Sequence, residues 1–245
     1  MTEFTERQLK ELEHNRKILK SADKIWGRES LIGKMRIQRR AEMFCNAAGL
    51  NEKKNVLEIG CGTGELTQFL VGSKAKVTAT DIFEDFLKAA RKRISSPNIK
   101  FECAKGETLD SFSSNSFDTI CGVSVLHHLD IRKALRNIYR VLKPKGKIVF
   151  SEPNMLNPQI ALQKNIPFIK KLMGDSENET AFFRFQIKSL LKEAGFVNIS
   201  VKPFDFAHPA LPDFTLPLVK GIGYVLENIP LVKELAGSLF IVAEK

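Results

Sequence analysis

Cysteine is scarce in this 245-residue chain, which has only Cys45, Cys61, Cys103 and Cys121. They form no C-x-x-C pair, so a disulfide framework or a thiolate metal centre is not expected, and reduced thiols are. No cysteine or histidine cluster has ligand spacing either, so the expected metal content is none. No apolar run approaches the roughly 20 residues that a membrane span needs. The first residues, MTEFTERQLKELEHNRK, are charged from the third position. They lack both the apolar core of a signal peptide and the acid-free character of a transit peptide, so a cytoplasmic protein is expected. Tryptophan occurs once, at Trp26. Acids are missing from the stretch between Asp130 and Glu152, which carries seven bases: Arg132, Lys133, Arg136, Arg140, Lys143, Lys145 and Lys147.

The hydrophobic share is 43% and the charged share 27%, with a net charge of +10. These proportions suit a chain that buries a full core and rule out wholesale disorder. The positive excess sits in the 132–147 stretch and in the first 55 residues, which hold 13 bases against 8 acids. A basic face can attract nucleic acid or another anion. Here no aromatic side chains interleave with the charges as a base-stacking surface requires, so a solvated helix face is expected and a nucleic-acid partner is not.

Hydrophobic periodicity divides the chain. Residues 3–20 and 34–48 read as amphipathic helices, the second ending near Gly49. From there short branched-apolar strands alternate with helices. The strands are 55–60, 76–81, 98–104, 117–126 and 147–153, and the helices are 64–71, 84–94 and 130–142, the last stopped by Pro144 and Gly146. That alternation implies βαβ units and a parallel sheet covered on both faces. After Pro153 the pattern loosens. A helix at 184–195 and strands at 198–204 and 238–245 restore it, leaving two irregular, aliphatic stretches at 154–183 and 205–236.

The informative segment is Val56-Leu57-Glu58-Ile59-Gly60-Cys61-Gly62-Thr63-Gly64. A strand runs into a turn with glycines at alternate positions, and a helix starts beyond it. Such a turn brings backbone N–H groups close to a ligand at a helix N-terminus. A dinucleotide fingerprint needs G-x-G-x-x-G, and the third glycine position holds Glu65. The acid Glu58 inside the strand also argues against a pyrophosphate and for a ligand with a cationic, zwitterionic head. Asp81 ends the next strand, 21 residues after Gly60. That is the place for an acid that accepts hydrogen bonds from ribose hydroxyls, although a helix N-cap is the alternative reading. Ile82 and Phe83 follow it, positioned to pack on an adenine face.

These residues resemble the class I S-adenosylmethionine-dependent methyltransferases, in particular the small-molecule branch that includes ubiquinone and menaquinone biosynthesis. VLEIGCGTGELT resembles the family's first motif and TATDIFEDFLKAARKR its second. NSFDTICGVSVLHHL and ALRNIYRVLKPKGKIVFSEPN resemble its fourth and fifth strands with the helix between. The resemblance covers about residues 53–152, with a weaker echo at 184–204 and 238–245. It implies an α/β, Rossmann-like, doubly wound sheet of seven strands, mostly parallel, whose last strand is antiparallel. It implies S-adenosylmethionine as cofactor and S-adenosylhomocysteine as product. It further implies that Gly60, Cys61 and Gly62 face the methionine part, with Gly64 completing the turn, that Glu58 orders the turn and that Asp81 holds the ribose. The family often places Gly-Asp after its third strand for the adenine contact. Here the sequence is Ala104-Lys105-Gly106-Glu107, and Gly106 and Glu107 are the substitutes. Ser124, at the end of the fourth strand, joins the cofactor set.

Direct methyl displacement needs alignment above all, and a base only where the nucleophile's proton is tightly held. His127 and His128 end the fourth strand, at the carboxyl edge where open α/β sheets bind ligands, and Glu152 follows the fifth. These three are the candidate bases. Arg36, Arg39 and Arg40 are candidates for a carboxylate contact. The expected organisation is an N-terminal helical cap at 1–50, a cofactor-binding core at 51–153, and the rest of the core at 154–245, with lids from 154–183 and 205–236. The expected activity is methyl transfer to a small, partly apolar acceptor. A sugar, a nucleotide or RNA is the alternative acceptor, and a binding protein on the same fold the alternative class.

Overall fold

The computed structural model describes residues 4–18, 29–173, 175–176 and 179–245. Trp26, and with it the tryptophan-led stretch before Glu29, lies outside the described residues. Seven strands form one sheet: β1 (Asn55–Ile59), β2 (Lys76–Asp81), β3 (Ile99–Cys103), β4 (Phe117–Val123), β5 (Leu142–Pro153), β6 (Val197–Phe204) and β7 (Ser238–Glu244). Their order is β3-β2-β1-β4-β5-β7-β6. β7 runs antiparallel between β5 and β6, while the β1, β2, β3, β4 and β5 pairings are parallel. The order reverses between β1 and β4, where a crevice opens at the carboxyl ends of the strands.

Strand alternation explains why both faces are covered. Val56, Cys121 and Val149 belong to one core with Phe44, Leu87 and Phe240. Their neighbours Leu57, Ile120, Ile148 and Phe150 belong to the other, with Leu135, Ile138 and Leu191. Successive residues point to opposite sides, so a strand apolar at every position serves two layers.

The flanking helices are α1 (Glu6–Ile18), α2 (Leu31–Ala48), α3 (Thr67–Leu70), α4 (Glu84–Arg93), α5 (Ile131–Val141), α6 (Pro158–Asn165), α7 (Pro167–Leu172), α8 (Arg184–Glu193) and α9 (Leu216–Asn228). Ser30 caps α2 by accepting from the Gly33 N–H at 3.0 Å, and left-handed Gly49 ends the helix. Several boundaries differ from the sequence reading: α2 starts at Leu31, β4 ends at Val123, and two further differences have a local cause. α3 is a single turn, because the glycine loop runs on before the helix starts. β5 begins at Leu142, directly after α5, since residues 143–146 bulge out between the Phe117–Leu142 and Thr119–Lys147 pairs, with Lys145 at φ 63°.

The two irregular stretches are helical and lightly packed. α6 and α7 bury no residue completely, and α9 buries only Gly223. Each of the three carries proline in its first turn. α9 is tied to α2 by a forked pair from Arg39 to Glu227, at 2.7 and 2.5 Å.

Candidate functional site

A cleft of 470 Å³ opens over the carboxyl ends of β1, β2 and β4. Its floor is the glycine turn. Gly60 and Gly62 have φ of 66° and 56°, a region that glycine enters without penalty. A Cβ on Gly60 would come within 2.4 Å of Val125 Cγ2, so bulk as well as backbone angle requires glycine there. Gly64, at φ 91°, meets Ile94 and Ala90 instead, and it packs the turn onto α4 without reaching the cleft.

Asp81 is buried on the cleft wall. Its two oxygens accept the N–H groups of Gly62 and Phe83, each at 2.9 Å. Asp81 thus binds the glycine loop to the β2 end. Burial pushes its carboxyl up, against the lowering effect of the backbone bonds. α4 takes Phe83, not Asp81, as its N-cap residue. Glu58 is buried two residues before the turn and accepts the Thr67 hydroxyl at 2.7 Å. Burial raises its pKa to about 8, the Thr67 bond opposing and the charges of Glu65 and Asp81 assisting. Burial likewise lifts the Cys61 thiol well above its usual value, so Cys61 stays neutral.

Glu58, Gly60, Cys61, Gly62, Asp81, Ile82, Gly106, Glu107 and Ser124 all line the cleft. They suit S-adenosylmethionine: a buried carboxylate with lone pairs left for ribose hydroxyls, a side-chain-free loop, and an acidic wall beside a cationic head. Ser124 takes positive φ, 51°, as the chain turns from β4. Glu107 is bound by Gln8 Nε2 at 2.5 Å.

The other half of the cleft is built around His127 and His128. Glu152 fixes this corner without facing the cleft. One of its oxygens accepts the N–H groups of Val125 and Leu126 at 3.0 and 2.9 Å, and the other lies 2.6 Å from His127 Nδ1. His127 Nε2 stands 3.5 Å from Glu179 Oε1. Burial disfavours the charged ring, but the close Glu152 contact and the nearby Glu179 carboxylate outweigh it and raise the pKa of His127 to about 9. Glu179 also accepts from Lys164 at 2.6 Å, and Lys164 bridges to Asp175 at 2.7 Å. His128 Nδ1 lies 3.4 Å from Glu11 Oε2.

Several of these groups escape a linear reading. Arg7, Gln8, Glu11 and Asn15 of α1 line the cleft, and Arg7 donates to the His127 carbonyl at 3.2 Å. Glu179 and Asp175 arrive from the stretch after α7. The only sequence signal for α1 was its amphipathic period, which does not say which element it covers. The arginines of α2 have partners of their own. Arg36 and Arg40 bind the buried Asp205 at 2.8 and 2.6 Å. Burial, more than any neighbour, lowers the pKa of Arg40 to about 10.

The apolar side chains expected to enclose the cleft mostly do not face it. Phe168, Leu172, Phe214, Leu218, Val225 and Leu231 are exposed, and of the aliphatics and aromatics in the two irregular stretches Met173 lines the cleft. The wall near the histidines is correspondingly polar.

Comparison with known proteins agrees with this geometry. A methyltransferase domain family matches residues 57–150. A demethylmenaquinone methyltransferase of Staphylococcus aureus is 29% identical over 180 residues, covering 64% of this chain and 73% of that one. An S-adenosyl-L-methionine-dependent Diels-Alderase of Talaromyces variabilis is 29% identical over 208 residues, 79% of this chain and 68% of that one. Among solved structures, the [4+2]-cyclase SpnF superposes with a TM-score of 0.68 at 17% identity, over 98% and 96% of the two chains. A possible histamine N-methyltransferase of Thermotoga maritima reaches 0.64 at 20% identity, over 95% and 99%. With a methyltransferase domain matched over residues 57–150, this seven-stranded sheet, its glycine turn and Asp81 make the chain similar to the class I S-adenosylmethionine-dependent methyltransferases, an enzyme of menaquinone biosynthesis among them.

Proposed function

We propose that the chain methylates a small acceptor with a polar reacting end and a partly apolar body. The observation that carries this reading is the continuity of one cleft, from Asp81 and the glycine turn to His127, His128, Glu11 and Glu179. Its size suits a cofactor with a small acceptor beside it. Bound S-adenosylmethionine supplies an electrophilic methyl group on a sulfonium. The protein's own task is to align and to keep water out.

In this reading Gly60, Gly62 and Asp81 seat the cofactor, and Ile82 and Gly106 flank its base. The acceptor's polar end meets the histidine corner, and Ile37, Leu129 and Met173 supply apolar surface. Glu152 is a positioning residue, with both oxygens engaged by Val125, Leu126 and His127. α1, α6 and α7 act as the cover, with α2 and α9 clamped beside them through Arg39 and Glu227. No described helix is long and apolar enough to cross a membrane.

The similarity to a Diels-Alderase over 79% of the chain favours a second reading, in which cofactor is bound but no methyl group moves. One experiment separates the two. The protein is incubated with S-adenosylmethionine and hydroxylated aromatic or quinol acceptors, and S-adenosylhomocysteine is measured. Its acceptor-dependent release supports methyl transfer. Tight cofactor binding with no release across all acceptors rejects it and favours the second reading.

A further inference from the structure

We propose that the histidine corner of the cleft is a divalent transition-metal site, with His127 Nε2, His128 and Glu179 as its ligands and Glu11 as a further carboxylate at its edge. The donor groups of His127, His128 and Glu179 lie within 4.8 Å of one another. The inference does not depend on which acceptor is methylated.

Three observations carry it. The first is an unmet need. Among the described residues, His127 Nε2 and His128 Nδ1 are both buried and neither has a hydrogen-bond partner, although buried polar atoms rarely go without one. Each nonetheless has a carboxylate oxygen nearby, at 3.5 Å from Glu179 for His127 and 3.4 Å from Glu11 for His128. Those separations suit neighbours on a shared ion: two donors bound tetrahedrally at zinc-like distances lie about 3.4 Å apart.

The second observation is the support behind His127. Its Nδ1 is held at 2.6 Å by Glu152, whose other oxygen is anchored on two backbone N–H groups. A carboxylate that fixes one ring nitrogen and turns the other toward a pocket is the usual arrangement behind a metal-bound histidine. Glu179 is likewise steadied, by Lys164 at 2.6 Å and by the Ser176 N–H at 3.1 Å.

The third is charge. Among the described residues, Glu11, Glu152, Asp175 and Glu179 surround this corner, against Lys164 and Arg7 as permanent cations. A divalent cation balances the difference and uses both free ring nitrogens as donors. Imidazole and carboxylate donors together select Zn²⁺, Mn²⁺, Fe²⁺ or Co²⁺ over Mg²⁺ or Ca²⁺. The corner opens onto the cleft, so the remaining coordination position is available to an acceptor oxygen.

The test uses the full chain, stripped with chelator and titrated with Co²⁺, with Zn²⁺ added in competition. Binding of one equivalent of Co²⁺ with the visible absorption of a low-coordinate site, displaced by Zn²⁺, is expected. His128→Ala and Glu179→Gln should each weaken Zn²⁺ binding at least tenfold, and Glu152→Gln about 10- to 100-fold through loss of ring orientation. S-adenosylhomocysteine affinity, measured in the same samples, should stay at the parent value, which shows that the variants are folded. Failure to bind Co²⁺ or Zn²⁺ overturns the proposal. So does binding that survives both His128→Ala and Glu179→Gln, which would place the ion elsewhere. Loss of S-adenosylhomocysteine binding by the parent protein would instead count against the cofactor assignment.

Discussion

Glu152 holds His127 from behind: one carboxylate oxygen lies 2.6 Å from Nδ1, and the other receives the N–H groups of Val125 and Leu126. The two functions separate by substitution. Glu152→Ala leaves two buried N–H groups without acceptors, at a typical cost of about 1–3 kcal/mol each. Glu152→Gln keeps an oxygen for those N–H groups and puts an uncharged NH2 donor beside Nδ1 in place of the second oxygen. In urea unfolding the alanine variant should lose several kcal/mol and the glutamine variant much less, while both lose methyl transfer. Equal stability of the alanine variant and the parent would show that the strand end does not depend on this carboxylate.

Asp81 joins the cofactor half of the cleft to the glycine turn through Gly62. Because it also accepts from Phe83, truncation to alanine would loosen the loop as well as remove the ribose contact. Asp81→Asn is the milder change, since it keeps one acceptor oxygen and the side chain's size, although its NH2 then faces the N–H of Gly62 or Phe83. Loss of a charge-assisted hydrogen bond costs about 1.5–3 kcal/mol, or roughly tenfold or more in Kd. Calorimetry with S-adenosylhomocysteine should show that weakening, with a smaller fall in Tm than Asp81→Ala gives. A parent-like Kd would remove Asp81 from the ribose role.

Legibility in the sequence followed the range of the interactions. The β1 turn and Asp81 belong to one βαβ unit, where spacing along the chain stands for position in space, and the sheet followed from alternating apolar periods. The histidine corner followed only in part. His127, His128 and Glu152 stand at the ends of adjacent strands and were legible at the carboxyl edge of the sheet, but Glu179 reaches them from beyond α7 and Glu11 from α1. No local period relates those positions. The two aliphatic stretches read as lids show the same limit: apolar content does not say which way a side chain points, and Phe168, Leu172, Leu218 and Val225 are exposed and do not line the cleft.

Asp205 is the hub that fastens α2 to the end of β6. Arg36 and Arg40 reach one of its oxygens and the Ala207 N–H bonds to the other at 3.2 Å. Arg40 is fully buried and also donates to Ser151 and Ser238, at 3.2 and 3.0 Å. Removing one partner of such a pair strands the other charge, at about 3–5 kcal/mol. Asp205→Ala should therefore unfold at much lower urea. The double variant Asp205→Leu with Arg40→Met should recover part of the loss, because the more deeply buried Arg40 charge is then not left alone, while Arg36 keeps some access to solvent. Purely additive losses would mean that the pair is not coupled, and would restore Arg40 as a candidate for an anionic ligand.

Glu58 gives stability a pH dependence of known sign. Burial, assisted by the charges of Glu65 and Asp81, raises its folded pKa to about 8, against about 4.3 for a free glutamate. Below the lower value both folded and unfolded chains hold the proton, and Glu58 contributes no slope. Between the two values the unfolded chain has released the proton and the folded chain retains it, so the unfolded state binds fewer protons and stability falls as pH rises. Above about 8 both states are ionised and the slope disappears, leaving the folded chain with a buried carboxylate beside Asp81. Glu58→Gln preserves an acceptor for the Thr67 hydroxyl and cannot ionise. Unfolding free energies of variant and parent should thus diverge steadily from about pH 5 to pH 8, with the variant the more stable at the upper end. Other groups with raised pKa values, such as Asp81, tilt both curves alike and cancel in the difference. Parallel curves across that range would show that Glu58 is already ionised in the folded protein, and that the wall beside the glycine turn carries its negative charge at neutral pH.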